Sequence, residues 1–510
     1  MNTNRIFSGC QYGSRWITDK YICIMLLLFP LFAGFDGYSA LTASKYIFFA
    51  TVTGLWLASL LVLHLKGGFH LCKPHFSAVP VLLGAFFLLC CLSAALSPYG
   101  TRVLLGSGRY DGLVTWLLYC GIFFGCYCFA KPRRLYFYIL CLSCFLCSLT
   151  ALLQLLGFNP LWLFPSNYTY YDGGVKYMGE FLGTIGNAGI FSGFACLVMP
   201  LLSGAYILWR RRPYVFLPCL ALTGFCIFVS DVSAGKLALA VTGFLSLPLL
   251  ITSGGKLRRL LELSALFCLT IFLALSFKGE AALGSVLLRF SPGTRAFSAL
   301  GAFVLFFLLR LLTGRCSFEK KALRTFFVVL CLLTAAAALF TVYFWKGQSG
   351  TIYELSRVLH GDFEDSFGSS RILIWKNTLR LVPEHLLFGG GPDSLALRLD
   401  VSFSRLVPET GKTLSCFVDN AHNEYLGILV NTGLLSLLSF VFAQAACLVS
   451  VLRRKSGSKL CLPLLCGFVC YWIQAFFGLG LFIAAPFVWI FWALLAAPIK
   501  EPPAALSPDP

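Results

Sequence analysis

Residues Trp345 to Asn420 form the longest polar stretch of an otherwise apolar chain, and they lead into Asp419-Asn420-Ala421-His422-Asn423-Glu424-Tyr425-Leu426, where a new apolar run begins. Asn420 is a good helix cap, which puts His422 in the first turn of a helix entering a membrane. The positive end of a helix dipole disfavours imidazolium there and keeps the ring neutral and able to accept a proton. Asp419, Asn423 and Glu424 flank it as an orienter for the ring or as substrate contacts. A histidine at this rim is also readable as a structural residue. Gly433 lies about three turns and 16 Å further along the same stripe, where a bare Cα admits a neighbouring helix or a lipid tail.

The polar stretch holds a second candidate. Ser369-Ser370 can cap a helix from Arg371 to about Val382, which Pro383 ends. Arg371, Trp375, Thr378 and Val382 share one face of it, while Lys376 and Arg380 point elsewhere. In the first turn Arg371 stands beside backbone N–H groups without helical partners, a combination that suits an anionic oxygen. The competing reading is an interfacial helix with snorkelling cations and an anchoring Trp375. Phe388-Gly389-Gly390-Gly391-Pro392-Asp393 reads either as a tight turn or as a backbone open to a ligand, and it lacks the Gly-Lys-Ser/Thr of a phosphate loop. Asp362, Glu364 and Asp365 read as a solvated loop or as a site for a divalent ion or basic acceptor. Arg109 and Asp111 read as an ion pair across a tight turn.

The elements that position these residues follow from composition. With 58% hydrophobic and 12% charged residues and a mean hydropathy of +0.82, no polar surface for a soluble domain is available. The expected fold is all-α: a polytopic helical membrane protein of 12–14 spans. Apolar runs long enough to cross a bilayer begin near Ile17, Tyr46, Val79, Gly112, Leu135, Ile190, Tyr214, Lys236, Leu260, Ala296, Ala322, Asn423, Leu460 and Phe482. The expected organisation is an N-terminal set of spans over 1–345, a partly helical external loop over 346–421 carrying part of the site, C-terminal spans over 422–499, and a disordered tail over 500–510. A loop as long as 346–421 is usually functional.

Lys and Arg collect at Lys131 to Arg134, Arg210 to Arg212, Lys256 to Arg259, Arg315 to Arg324 and Arg453 to Lys455, on every second connection. By the positive-inside rule these mark the cytoplasmic face, with both termini inside and the long loop outside. The net charge of +19 is then topological and no nucleic-acid footprint. The first span reads as retained, because no small-x-small cleavage site precedes Lys45. Most of the 22 cysteines lie in apolar runs, where a thiol behaves as a small hydrophobe, and Cys141-x-x-Cys144 has no His or second pair beside it. Cys416 stands alone in the long loop.

His422-Asn423, nine residues, then Gly433, with Ser436 in the last place of the pattern, is similar to the O-antigen ligase signature. Arg371-x-x-x-Trp375, Gly389 to Asp393, and Asn423 to Leu426 through Val430 to Leu434 also resemble the O-antigen ligase/polymerase superfamily. Gly108-Arg109-Tyr110-Asp111-Gly112 and Gly183 to Asn187 resemble its external-loop motifs. In Ser230 to Lys236 the relatives' Ser-Arg-Gly arginine is replaced by Ala234, and Lys236 supplies the nearest cation, without bidentate geometry.

The resemblance implies a metal-independent glycosyltransferase of the helical, lipid-phosphate-dependent GT-C kind in the bacterial cytoplasmic membrane, with its site on the extracytoplasmic face and no cofactor. The donor would be an undecaprenyl diphosphate-linked glycan, and the acceptor a hydroxyl on a glycan, a lipid or a protein. His422 and Arg371 would be catalytic. Lys236, Asn423, Glu424, Asp419, Arg109, Arg289 and Trp375 would contact substrate, with Arg295 an alternative to Arg289. A lipid-linked glycan flippase is the competing class, although charges gather at the rims and no related halves appear. Within the enzyme class, ligase, polymerase and protein O-oligosaccharyltransferase share this architecture.

Overall fold

A computed structural model describes residues 3–67, 77–107, 109–156, 158–164, 169–171, 175–176, 183–230, 232–282, 285–290, 293–313, 318–407, 412–454, 459–478 and 480–498. The tail 500–510, Gly108, Asp231 and the side chains of Arg289 and Cys416 lie outside the described set.

Helices dominate: α1 Thr3–Leu31, α2 Leu41–Gly67, α3 Ala78–Leu96, α4 Arg102–Leu105, α5 Leu113–Phe129, α6 Arg134–Leu155, α7 Ala188–Leu208, α8 Leu217–Val229, α9 Ser233–Leu250, α10 Gly254–Ser276, α11 Thr294–Leu312 and α12 Lys320–Tyr343. The polar stretch then forms α13 Thr351–Leu359, α14 Phe367–Leu381 and α15 Leu395–Arg398, before α16 Glu424–Arg453, α17 Cys461–Ala475 and α18 Ala485–Ala496. Each of the expected spans is occupied by a helix. Among the described residues nine are long and apolar enough to cross a bilayer, and four more apolar helices are shorter. The chain is a polytopic, multi-pass membrane protein. The sequence reading did not anticipate three small antiparallel hairpins in the connections: β1 Thr169–Tyr171 with β2 Val175–Lys176, β3 Phe277–Ala282 with β4 Ser285–Phe290, and β5 Ser402–Val407 with β6 Lys412–Phe417.

The span of α7 is 89% buried, whereas those of α11 and α12 are 6% buried, so α7 lies at the centre and α11 and α12 at the edge. Aromatic rings fill the core: Trp489 stacks on Tyr119 at 5.6 Å and on Trp492 at 5.2 Å, and Phe440 meets Trp492 at 5.4 Å.

The connections sort to two ends. At one, Arg133 pairs with Asp19, Arg310 with Glu262, Arg259 and Trp209 bridge to carbonyls of Tyr206 and Lys459, and Arg454 reaches the Leu495 carbonyl. At the other, the turn before α5 meets the segments flanking α15 and α16 through Ser107–Asp393 and Arg109–Asp419. The basic clusters and the polar stretch thus stand at opposite ends, as their alternation in the sequence requires.

Candidate functional site

The segment before α16 is held by two asparagines in different roles. Asn423, not Asn420, is the N-cap: its Oδ1 accepts from the Leu426 N–H at 3.1 Å, and the helix begins at Glu424. Asn420 Oδ1 instead accepts the N–H of His422 at 2.9 Å, an Asx-type turn. His422 therefore precedes the helix, with a left-handed φ of 48°. The correction places the imidazole beside the positive helix end rather than inside the first turn. Asn423, expected to touch substrate, is buried and has its acceptor oxygen committed to the cap.

Burial pushes the His422 pKa down to about 4, with the positive charges of Arg109 and Arg371 adding to the shift and Asp419 opposing it. Because the folded value lies below the ordinary one near 6.5, the ring is neutral at physiological pH. The stability it contributes is present above about 6.5 and lost as pH falls through about 4. We expect one of the six histidine signals in ¹³C-histidine NMR to titrate near pH 4 and to vanish in His422→Gln. A titration near 6.5 assigned to His422 would contradict its placement.

Arg371 opens the regular part of α14. Gly368, Ser369 and Ser370 before it all have left-handed φ, at 64°, 59° and 64°, a conformation that costs non-glycine residues about 1–2 kcal/mol each. The turn is pinned by Glu354 accepting from the Gly368 N–H at 3.0 Å, and Arg371 Nη1 donates to the Gly368 carbonyl at 2.7 Å. Its Nε is buried with no hydrogen-bond partner, and no described carboxylate pairs with it. Burial lowers the guanidinium pKa. A half-buried cation at the positive end of a helix is doubly unfavourable alone, and an anion relieves both costs.

Trp375, one turn on, turns inward: its indole N–H donates to the Ala421 carbonyl at 3.0 Å, and its ring meets Phe476 edge-on at 5.6 Å. With Val382 it packs on Leu395, Ala421, Leu426 and Val430, so α14 is docked on the mouth of α16 rather than lying as a separate interfacial helix. Arg109 grips Asp419 through two hydrogen bonds, at 2.6 and 2.9 Å, in place of the expected pair with Asp111. The Oδ1 of Asp111 is buried without a hydrogen-bond partner, and desolvation, then Asp393 and Glu424, hold its carboxyl well above the usual range. Glu424 opens α16 against the bare Cα of Gly480, where a Cβ would come within 2.6–2.8 Å of the carboxylate.

The glycines serve the backbone. At Gly433, with φ of 90°, α16 is interrupted, and a Cβ would overlap the Leu387 carbonyl. The two helical hydrogen bonds lost there are exchanged with the polar segment. Gly390 and Gly391 N–H groups donate to the Val430 and Asn431 carbonyls at 3.2 and 2.8 Å, and Leu434 and Leu435 N–H groups donate to Leu386 and Leu387 at 2.8 and 3.4 Å. Broken helices persist at membrane depth only where protein satisfies the freed groups. The close approach expected at Gly433 is thus made by the chain's own backbone. Gly433→Ala is expected to destabilise the protein by at least about 2 kcal/mol, from the left-handed φ and the overlap together. Gly427→Ala, on the same helix with open space at its Cβ, is the control. Thermal unfolding in detergent should show a lowered Tm for the first variant alone; equal Tm values would contradict the interruption.

Residues that the sequence reading left without a role complete the scaffold. Arg398, 2% exposed, donates to the Val430 and Leu381 carbonyls at 3.0 and 2.8 Å and reaches Glu384 at 3.2 Å. Asn431 Oδ1 accepts from the Leu395 N–H at 2.9 Å, and Ser93 and Ser97 of the α3 end donate to the Asn431 and Gly390 carbonyls at 3.0 and 2.6 Å. Asp393, φ 55°, accepts from the Ser107 N–H at 2.8 Å, and burial pushes its carboxyl up to about 6. Its place beside three glycines was the available signal.

The remaining candidates are placed by other contacts. Lys236 stands half-buried in the first turn of α9, whose Gly235 packs on Ser192 and Cys196, and it is not among the charges that shift His422. Arg295 is exposed at the start of α11. In the acidic knot Asp362 pairs with Arg357, and Asp365 with Lys376 at 2.8 Å, as a solvated loop would. Among the described residues no cluster of His, Cys, Asp and Glu could hold a metal ion.

Of the eight non-glycine residues with left-handed φ among the described residues, five (Tyr110, Ser369, Ser370, Asp393 and His422) lie in the segments around Arg371 and His422. Fold and rim residues together define a multi-pass helical membrane protein with a strained polar cluster at one end. The O-antigen ligase family model matches residues 281–441, which relates the chain to the O-antigen ligase superfamily through that region. The match spans Arg371, Trp375, Asp393, Asp419, His422 and Gly433; Arg109, Asp111 and Lys236 precede it. No curated protein matches the chain.

Proposed function

We propose that this protein is a GT-C-like membrane glycosyltransferase, of the O-antigen ligase or polymerase kind, which moves a glycan from an undecaprenyl diphosphate-linked donor to a hydroxyl on a glycan, lipid or protein. The observation that carries the proposal is the presence at one rim of a half-buried arginine with no acidic partner among the described residues and a half-buried neutral histidine within its electrostatic reach. In this reading the acceptor oxygen attacks the anomeric carbon, the bond from that carbon to the phosphate oxygen breaks with inversion, and the diphosphate leaves with the bonding electrons. Arg371 takes up the charge that develops on the leaving group. His422 accepts the hydroxyl proton as the new bond forms. A ring with so low a pKa is a weak base, so it orients the hydroxyl beforehand and takes the proton only late.

Arg109, fixed by Asp419, adds positive field to the pocket, and Trp375, Glu424 and the Asn423 amide border it. Lys236 and Arg289 supply further positive charge for the diphosphate. No metal or cofactor has a role. Residues 346–421 act as the external element of the site, between the N-terminal spans of 1–345 and the C-terminal spans of 422–499. The rim faces the extracytoplasmic side of a bacterial cytoplasmic membrane, because the basic clusters lie at the other end.

Purified protein in nanodiscs, given lipid-linked oligosaccharide and an acceptor, is expected to release lipid diphosphate in step with new glycoside. Movement of the donor between leaflets without bond cleavage would overturn this reading in favour of a flippase.

A further inference from the structure

Between α16 and α17 a cleft of about 460 Å³ opens, walled by Tyr425, Leu448, Trp472, Ile473, Phe476 and Phe477. Its walls are almost wholly carbon, and an open apolar groove of this kind suits an apolar ligand. One end of it adjoins the polar cluster through Trp375. Trp375 lies 5.6 Å from Phe476 and 6.4 Å from Phe477, Tyr425 donates to the Trp472 carbonyl at 3.2 Å, and Tyr425 directly follows Glu424. Arg371 stands one helical turn from Trp375 on the same face of α14.

We propose that this cleft holds the first isoprene units of the donor's lipid chain, which leaves its diphosphate at Arg371. The inference rests on the lipid-diphosphate reading of the site and adds where the chain lies. A ligand that fits both parts must carry an anion at one end and an apolar chain directly behind it, without a glycerol ester between. From Val469, which also lines the cleft, to Phe477 is about 12 Å along a helix, so the cleft takes the near end of a long chain and leaves the rest in the bilayer. The aromatic walls suit a methyl-branched, unsaturated chain, whose groups pack on ring faces. The edge helices α11 and α12 also face outward, but no charged pocket of the site adjoins them in the described contacts.

The test uses the full chain in nanodiscs and a polyprenyl diphosphate carrying a diazirine in its first isoprene units, photolysed and mapped by mass spectrometry. Labelling is expected within 469–477 and at Tyr425, to be competed by unlabelled polyprenyl diphosphate, and to fall about tenfold or more in Leu448→Trp, which fills the cleft. In transfer assays the preference for a long-chain over a short-chain donor should fall by a similar factor in that variant, with Ile473→Trp as a second fill. Label confined to α11 and α12, equal label from a diazirine phospholipid, or an unaltered chain-length preference in both variants would overturn the assignment. If neither donor is turned over, the glycosyltransferase reading fails, while the labelling pattern still decides what the cleft binds.

Discussion

Replacing His422 by alanine is expected to slow glycan transfer by about 10²- to 10⁴-fold, the usual worth of a positioned proton acceptor. The loss should fall on kcat with little change in KM, because the ring acts on the acceptor hydroxyl as the bond forms and contributes little to holding the donor. The fold should survive. The Asx turn that shapes this segment uses the His422 backbone N–H, and the helix is capped by Asn423, so neither depends on the imidazole. The left-handed φ of 48° costs alanine a little more than histidine, on the order of 1 kcal/mol or less, which the fold should tolerate. Circular dichroism and size-exclusion behaviour like those of the wild type, with transfer reduced a hundredfold or more, is the expected pair of results. Undiminished transfer would remove His422 from the chemistry.

Arg371→Ala is expected to cost about 10²- to 10³-fold in kcat, comparable to removal of one donor from a preorganised anion site, and to weaken binding of the lipid diphosphate product as well. The sign on stability should be the opposite of the sign on activity. A half-buried guanidinium with a buried, unbonded Nε at a helix N-terminus is unfavourable in the ligand-free protein, so its removal is expected to leave Tm unchanged or raised. Arg371→Lys should recover only part of the activity, because an ammonium gives a point charge where the guanidinium gives a planar fork. A variant both unstable and inactive would point to a structural arginine.

The helical frame was legible because long apolar runs admit one structure in a bilayer, and every expected span became a helix. The hairpins were not. Short polar strands such as Ser402–Val407 and Lys412–Phe417 carry no alternation strong enough to be seen against loop sequence. The extent of α14 was readable from Pro383, although its start is set by the left-handed turn at Gly368 to Ser370. The cap falls on Asn423 rather than the expected Asn420, since the two have identical side chains and only tertiary geometry separates an Asx turn from an N-cap.

Arg371 and His422 were readable as a cation and a rim imidazole, and the structure brings them within electrostatic reach of each other. Arg109 was readable as an ion-pairing residue, but its partner Asp419 lies 310 positions away, a separation that no local pattern encodes. The same holds for Asp393 with Ser107 and for the backbone exchange across Gly433, which join segments remote in sequence.

The most direct measurement is a double-mutant cycle on lipid diphosphate release by the wild type, Arg371→Ala, His422→Ala and the double variant in nanodiscs. If the two side chains serve one displacement in one pocket, the double variant should be about as slow as the slower single variant, because either loss already disables the shared step. Losses that multiply, as for distant and independent sites, or a single variant with wild-type release, would contradict a common centre at this rim.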